Sequence, residues 1–306
     1  MQVYITAIEE GFLYGLLALG IYISLRILDI PDLTTEGSFG FGSAVAAIVA
    51  SKGLSVTSFI AAFAAGVLAG IVTGLLQTKL KVHPVLAGII TMSGLYSINL
   101  MVRGSSNLNF NDNSAFTRFY KAVGISGADK KMAGLVIGAV ICILVLILLI
   151  VFFRTHLGLC IRATGDNEAM VSSSSINVDS TKILSLVVSN ACVGLSGGLL
   201  AQYQGFADIN SSAGILVVGL ASVIIGEVIM GRRGVTIGII SAVVGSIIYR
   251  YIMALATATH IFPAFALKLV SAVIVAVALS IPAIKQNIAP PFLPWIKWET
   301  GEKKLL

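Results

Sequence analysis

Long uninterrupted blocks of apolar residues are the feature that most constrains how this chain folds. A helix that rises 1.5 Å per residue needs about 20 apolar residues to cross roughly 30 Å of hydrocarbon. The chain therefore has an all-α fold, a polytopic transmembrane helical bundle with the membrane domain at 1–284 and a tail at 285–306. We predict nine spans, at about residues 8–27, 37–50, 55–79, 84–102, 132–153, 180–201, 212–230, 234–256 and 264–281.

Composition excludes several classes of function. Only 11% of the residues are charged and the mean hydropathy is +0.98, whereas a soluble domain is about 25% charged. The formal charge of +6 has no basic stripe interleaved with aromatic residues, which argues against nucleic-acid binding. The three cysteines, Cys142, Cys160 and Cys192, lack metal-ligand spacing. We find no nucleophile, metal site or paired carboxylate, so we do not expect an enzyme.

Two of the predicted spans have unusual features. The second is too short to cross the membrane as a plain helix and follows Pro31 and Gly37, so we predict a broken or partly re-entrant helix. The seventh contains Gly214, Gly219 and Gly226, and we predict that it is interrupted in the same way.

A short internal similarity precedes these two spans. Asp32-Leu33-Thr34-Thr35 resembles Asp208-Ile209-Asn210-Ser211, and each segment leads into a Gly-rich span and then a long one. The two segments lie on opposite sides of the membrane in our topology, as an inverted repeat requires.

Basic residues set the predicted orientation, because cytoplasmic loops carry an excess of Lys and Arg. Our topology places 12 of the 20 basic residues inside, although Lys130 and Lys131 lie outside and close to a span. We predict a protein of the cytoplasmic membrane with the N-terminus outside and the C-terminus in the cytoplasm. The 12 are Arg26, Lys79, Lys81, Arg154, Arg162, Lys182, Arg232, Arg233, Lys285, Lys297, Lys303 and Lys304.

The longest polar segment on the predicted inner side, 154–182, contains a short helix signal. Asp166 is a good N-cap and Glu168 favours the first helical turn, so we predict a helix at 166–174. Its apolar residues, Ala169, Met170 and Val171, suit docking into a groove of another protein. The alternative is an ordinary solvated loop.

Two motifs carry a family resemblance. The segment R-x-x-x-G-x-x-I-R-A-x-G-x-N, from Arg154 to Asn167, resembles the cytoplasmic coupling loop of the branched-chain amino acid and ribose family of ABC importer permeases. The segment from Asp29 to Ser38 resembles the acidic, Gly-rich approach to that family's broken helix. Within the family, the chain is most similar to permeases linked to tryptophan and tyrosine uptake. Ser175 is a departure, since the family commonly has Gly there.

The resemblance implies the partners and the energy source. The chain has no phosphate-binding loop of the form G-x-x-x-x-G-K-[ST], so it lacks that route to ATP hydrolysis. The resemblance implies two cytoplasmic ATPase subunits that hold ATP and Mg, an extracytoplasmic solute-binding protein and a second permease copy. The coupling residues implied are Gly165, Asp166, Asn167, Glu168, Ala169, Met170 and Val171. An ion-driven secondary transporter is the alternative, because it also uses inverted repeats and broken helices.

Polar residues within the spans are candidates for function because their burial in lipid is costly. Hydrogen bonding between helices is the alternative for each Ser or Thr. We predict that Arg250 is neutralised near the outer face by Glu9 or Glu10, with snorkelling to the headgroups as the alternative. The candidates for a solute path are Thr35, Glu36, Ser38, Thr91, Ser93, Tyr96 and Asn99.

Overall fold

Helices make up almost all of the chain that a computed structural model describes, namely residues 2–124, 129–231, 234–258, 269–277 and 280. Residues 269–277 are also helical. Two short strands, β1 (Asn107–Asn109) and β2 (Phe206–Asp208), pair antiparallel. The helices are α1 (Gln2–Tyr22, continued by a π-helical turn at Ile23–Ile27), α2 (Thr35–Ser51), α3 (Thr57–Thr78), α4 (Pro84–Arg103), α5 (Ala115–Val123), α6 (Asp129–Phe152), α7 (His156–Asp166), α8 (Glu168–Ser173), α9 (Val178–Gln204), α10 (Ile215–Met230) and α11 (Val235–Ala258).

Seven of the described helices are long and apolar enough to cross a membrane. They correspond to seven of the nine predicted spans, which confirms the polytopic helical bundle. The second predicted span is α2, which has 17 residues. The ninth lies mostly outside the described residues, as does the predicted tail at 285–306.

Helices α1 and α9 run antiparallel through the centre of the bundle. Ser189 Oγ donates a hydrogen bond to the carbonyl oxygen of Gly20 at 2.7 Å, and Ser196 Oγ donates one to that of Leu13 at 2.7 Å. A side chain at Gly20 would meet the backbone of α9, so this glycine permits the close approach. Each hydroxyl is thereby satisfied inside the bundle.

The glycine stripe of α3 packs against α9. A Cβ atom at Gly66 or Gly70 would meet the backbone of α9 at Asn190 or Leu186, so only glycine allows the two helices to approach this closely. The structure thus confirms that the four-residue spacing Gly66-Gly70-Gly74 serves helix packing.

Helix α2 is a half-length helix that begins inside the bundle, which agrees with the predicted broken helix. The chain leaves α1 beside α7, where Gly165 packs against the backbone of Ile27, and turns back into the bundle. Asp32 then contacts Asn190 at the middle of α9, and α2 continues from there to the far end of α9. Residues 28–34, which include Pro31, cover the first part of this path without forming an α-helix, so α2 alone is too short to cross.

Helix α10 runs in the opposite direction from a similar depth. It begins after Gly214, packs Gly219 against Ile21 of α1, and ends where Glu227 forms an ion pair with Arg26 at 2.7 Å. The predicted interruption lies at Gly214, between a 3-10 turn at Ile209–Ser212 and the helix α10, whereas Gly219 and Gly226 lie within continuous helix. Gly219 permits close packing, and Gly214, with φ +82°, precedes the first turn.

The two halves of the chain follow one plan. Helix α1 packs mainly against α11, and α9 packs mainly against α3 and α2. The turns that precede α2 and α10 also share a geometry, since Asp32 Oδ1 accepts from Thr34 N at 2.9 Å and Asp208 Oδ1 accepts from Asn210 N at 3.0 Å. The similarity read from the sequence is therefore an internal repeat whose half-helices run in opposite directions.

The two ends of the bundle differ in their polar contacts and in the elements that they hold. Arg26 with Glu227, Lys79 with Asp179 and Lys182 with Glu168 form ion pairs on the side of α7 and α8. The opposite side holds β1, β2 and α5. This grouping agrees with the predicted loops, while the assignment of the α7–α8 side to the cytoplasm stays a prediction.

Candidate functional site

A polar cleft lies where the half-helices α2 and α10 begin. Its volume is about 310 Å³, and it is bounded by α2, by α4 and by the turn before α10. The first turn of α2 and the turn before α10 both contribute residues to its lining. The lining residues are Glu36, Gly37, Met92, Ser93, Tyr96, Asn99, Ile209, Asn210, Ser212 and Ala213.

Glu36 links the two halves of the repeat at this cleft. It lies in the first turn of α2, and its Oε1 accepts a hydrogen bond from Gly214 N, just before α10, at 3.0 Å. One carboxylate therefore sits at the positive ends of two half-helices, where negative charge is stabilised.

Helix α4 supplies the opposite wall. Met92, Ser93, Tyr96 and Asn99 follow the three- and four-residue spacing that puts side chains on one face of a helix. Ser93 and Tyr96 are exposed, whereas Asn99 is 3% exposed. The Oδ1 atom of Asn99 has no hydrogen-bond partner among the described residues. Such a buried unpaired acceptor is unusual in a folded protein.

Four of the seven predicted path residues line the cleft: Glu36, Ser93, Tyr96 and Asn99. The other three are buried and hydrogen-bond within the protein. Thr35 Oγ1 donates to the Asp32 carbonyl, Ser38 Oγ donates to Asn190 Oδ1, and Thr91 Oγ1 donates to the Ala87 carbonyl. For these three the geometry supports the alternative of structural hydrogen bonding.

Sequence reasoning missed the buried hydrogen bonds that anchor α2. Asp32 is 4% exposed, and its Oδ2 accepts from Asn190 Nδ2 at 2.7 Å. Asn190 Oδ1 accepts in turn from Ser38 Oγ at 2.6 Å. The signal available was Asn190 itself, an amide within an apolar span.

The coupling segment differs in detail from the prediction. Asp166 is the last residue of α7 and not an N-cap, because Asn167 takes that position and its Oδ1 accepts from Met170 N at 3.1 Å. Helix α8 spans Glu168–Ser173, within the predicted 166–174. Helix α7, which begins at the Thr155 N-cap, was not predicted.

The apolar residues of α8 do not share one face. Val171 is buried at 1% exposure, whereas Ala169 is exposed and Met170 is 56% exposed. Val171 therefore holds α8 against the bundle, and Ala169 and Met170 point away from it. Glu168 forms an ion pair with Lys182 at 2.7 Å.

The charged group of Arg250 lies among neighbours near the start of α1. Its Nη1 is 3.2 Å from Glu10 Oε2, and its guanidinium stacks 3.5 Å above the ring of Tyr14. Of the two predicted acidic partners, Glu10 is thus the one in contact. Glu9 instead accepts a hydrogen bond from the hydroxyl of Tyr203 at 2.9 Å.

Comparison with known proteins identifies the family. The profile described as "Branched-chain amino acid transport system / permease component" matches residues 4–278, which is most of the chain. The chain belongs to this family. The permease is therefore a multi-pass membrane component of an ABC-type amino acid transporter family.

Named relatives extend this finding. The permease is 34% identical to the "Tyrosine transport system permease protein" of Clostridioides difficile (strain R20291), over 89% of this chain and 88% of that protein. It is 25% identical to the "Probable branched-chain amino acid transport permease protein LivH" of Methanocaldococcus jannaschii, over 72% of this chain and 66% of that protein. Both are permeases by name.

A solved structure shows a weaker likeness. The chain is 17% identical to one described as "PsaBC from Streptococcus pneumoniae in complex with Fab", over 83% of this chain and 89% of that one. The TM-score is 0.37, which supports no conclusion about fold or function.

Proposed function

We propose that the permease imports an amino acid as part of an ATP-driven transporter, with its solute path through the cleft at Glu36. The observation that carries this proposal is the meeting of two oppositely directed half-helices beside a cleft lined by polar side chains. Transporters with inverted repeats bind their solute at such a position. The cleft is large enough to hold a small molecule.

The solute that we propose is an aromatic amino acid. The relative in Clostridioides difficile is named for tyrosine transport. Tyr96, which is 56% exposed on the cleft wall, offers a ring on which an aromatic side chain can pack.

In this proposal, α8 couples ATP hydrolysis in a partner subunit to transport by the permease. Ala169 and Met170 point away from the bundle on a short helix that Val171 and the Asn167 cap fix in place. An exposed apolar pair on a braced helix suits docking in a groove of a cytoplasmic ATPase subunit, which binds ATP and Mg. An ion-driven secondary transporter, the alternative, has no need of such a surface.

The assembly that we propose contains two copies of the permease, two ATPase subunits and an extracytoplasmic solute-binding protein. The exposed face of α4 supports a second copy, because Ser93, Tyr96 and Ser97 would otherwise face lipid beside Glu36. Polar groups in that position are costly unless protein covers them.

The first experiment purifies the tagged permease and tests whether an ATPase subunit copurifies, then measures solute uptake in vesicles. We expect ATP-dependent uptake that stops when the ATPase is inactivated. Uptake that continues on a sodium or proton gradient without ATP contradicts the proposal and favours the secondary transporter.

The second experiment charges the exposed face of α8. Met170→Glu should abolish solute-stimulated ATP turnover while the protein remains folded in the membrane, because a carboxylate cannot be buried in an apolar groove. Leu80→Glu is the matched control, since Leu80 is 68% exposed on the same side but outside α8. Normal coupling in Met170→Glu contradicts the role of α8.

A further inference from the structure

The charges of the cleft identify the part of a solute that it can hold. Glu36 is the one formally charged residue among those that line it, and no Lys or Arg does so among the described residues. A carboxylate inside the bundle favours a cationic partner over a second anion.

Two acceptors on residues that line the cleft have no hydrogen-bond partner among the described residues. Gly214 N donates a hydrogen bond to Glu36 Oε1, whereas among the described residues no hydrogen bond reaches Glu36 Oε2. Asn99 lines the same cleft, is 3% exposed, and has an unpaired Oδ1. A buried acceptor without a partner costs free energy that a bound donor recovers.

The positions of Glu36 and Asn99 beside α2 suit one nitrogen. Asn99 Nδ2 lies against Gly40, four residues after Glu36 on α2, so Asn99 and Glu36 meet α2 at positions about 6 Å apart along its axis. A nitrogen that is 2.7–3.2 Å from each acceptor can bridge a gap of about 6 Å. A primary ammonium has three donors and no acceptor, which matches two acceptors side by side.

We propose that Glu36 and Asn99 bind the α-ammonium group of the transported amino acid. This proposal rests on the proposed function and deepens it, because it assigns recognition of the amino group to the permease itself. Tyr96 lies between Ser93 and Asn99 on α4, so the solute side chain packs against its ring while the ammonium group faces α2.

The test is protection of a cysteine from labelling in the purified full-length permease, so it does not depend on uptake. Ser93→Cys puts a near-isosteric thiol in the cleft, and Ser97→Cys puts one on the same helix outside it. The three native cysteines are buried. The reagent is uncharged methyl methanethiosulfonate, and intact mass spectrometry follows the reaction.

The probes are two amino acids and their deaminated analogues: L-tyrosine with 3-(4-hydroxyphenyl)propionate, and L-leucine with 4-methylpentanoate. We expect at least one amino acid to slow labelling of the Ser93→Cys variant and its analogue to have no effect, with no protection of the Ser97→Cys variant. Protection by neither amino acid, or equal protection by an amino acid and its analogue, overturns the proposal.

Two further substitutions, each made in the Ser93→Cys background, then test the acceptors. Glu36→Gln keeps an acceptor for Gly214 N but removes the charge, and Asn99→Leu removes the second acceptor at similar volume. In each, the concentration for half-protection should rise at least about tenfold, the effect of losing one charge-assisted hydrogen bond. An unchanged concentration in both variants overturns the assignment. If Glu36→Gln fails to fold, Asn99→Leu alone decides.

A metal cation is the other occupant that two oxygen acceptors can hold. Labelling of the Ser93→Cys variant in sodium chloride and in choline chloride separates the two. Protection by sodium alone overturns the proposal and favours ion coupling. Absence of ATP-dependent uptake in vesicles contradicts the proposed function only, because the labelling result is obtained without the ATPase.

Discussion

Arg250 illustrates how a single charge is accommodated in an apolar helix. Its guanidinium cannot lose its proton, and its side chain is 18% exposed, between Glu10 and the ring of Tyr14. Snorkelling to the headgroups would leave Glu10 without this partner. The contact with Glu10 at 3.2 Å favours neutralisation by pairing.

We predict that Arg250 and Glu10 are energetically coupled. Arg250→Leu and Glu10→Gln should each lower thermal stability in detergent, and the double variant should cost about 1 kcal/mol less than the sum. Glu9→Gln is the control, because Glu9 contacts Tyr203 and not Arg250. The stability lost in Glu9→Gln should simply add to the stability lost in Arg250→Leu. If the stability losses of Arg250→Leu and Glu10→Gln are strictly additive in the double variant, the two residues are not coupled and Arg250 is stabilised by snorkelling instead.

Ser175 follows α8 with φ +61°, in the left-handed region where glycine is favoured. This explains why the family commonly has glycine at the position. Ser175→Gly should raise stability by about 1 kcal/mol, since the side chain no longer strains the backbone. Ser172→Gly, inside α8, should instead lower stability by roughly 0.5 kcal/mol. Chemical unfolding of both variants checks the difference in sign.

Individual polar residues in spans are visible in the sequence, but the direction of each side chain is not. Glu36 and Asn99 line the cleft, whereas Thr35 and Ser38, on the same helix as Glu36, face buried neighbours. Hydropathy does not report where any of these side chains points. The packing of α2 against α9 and α4 separates them.

The position of the half-length helix α2 depends on the contacts of the turn that begins it. Asp32 accepts hydrogen bonds from Thr34 N and from Asn190 Nδ2, and Thr34 Oγ1 contacts Thr73 Oγ1 at 2.8 Å. These contacts tie the start of α2 to α9 and to α3. A helix that begins within the membrane needs such partners, because no water is present there to hydrogen-bond its first backbone N–H groups.

We predict that Asp32→Ala lowers the free energy of unfolding by about 3 kcal/mol, because two donors lose their acceptor inside the bundle. Asp208→Ala is the matched control. Asp208 makes the same turn with Asn210 N but is only half-buried, so its loss should cost about 1 kcal/mol. Denaturant titration in detergent compares them. Equal losses would contradict an anchoring role specific to Asp32.

Some elements could be predicted from the sequence and others could not. The short apolar block at 37–50, after Pro31, is enough to indicate a broken helix. Helix α7 escaped prediction because its amphipathic pattern is short and polar residues surround it. The N-cap moved from Asp166 to Asn167 because α7 extends through Asp166, and neighbouring residues of similar capping ability cannot be ranked by propensity.

At the scale of the whole molecule, two outer faces differ in chemistry. The face of α6 is a continuous apolar surface formed by Val140, Ile143, Leu144, Ile147, Leu148 and Val151, which suits contact with lipid tails. The face of α4 exposes Ser93, Tyr96 and Ser97 beside the cleft. Because hydropathy predicts both helices as spans, only their packing reveals which face needs a protein partner.

The last prediction concerns the second copy of the permease. If two copies meet across the α4 faces, the Ser97→Cys variant should form a cross-linked dimer in membranes under mild oxidation. Leu148→Cys is the matched control, since Leu148 is 61% exposed on the lipid-facing side of α6, and this variant should stay monomeric on a non-reducing gel. The native cysteines are buried and should contribute little background. Dimers of Leu148→Cys but not of Ser97→Cys would place the interface on α6 and leave the cleft outside it. An active transporter that contains one copy and no related permease would contradict the paired assembly altogether, because the polar wall of the cleft would then face lipid.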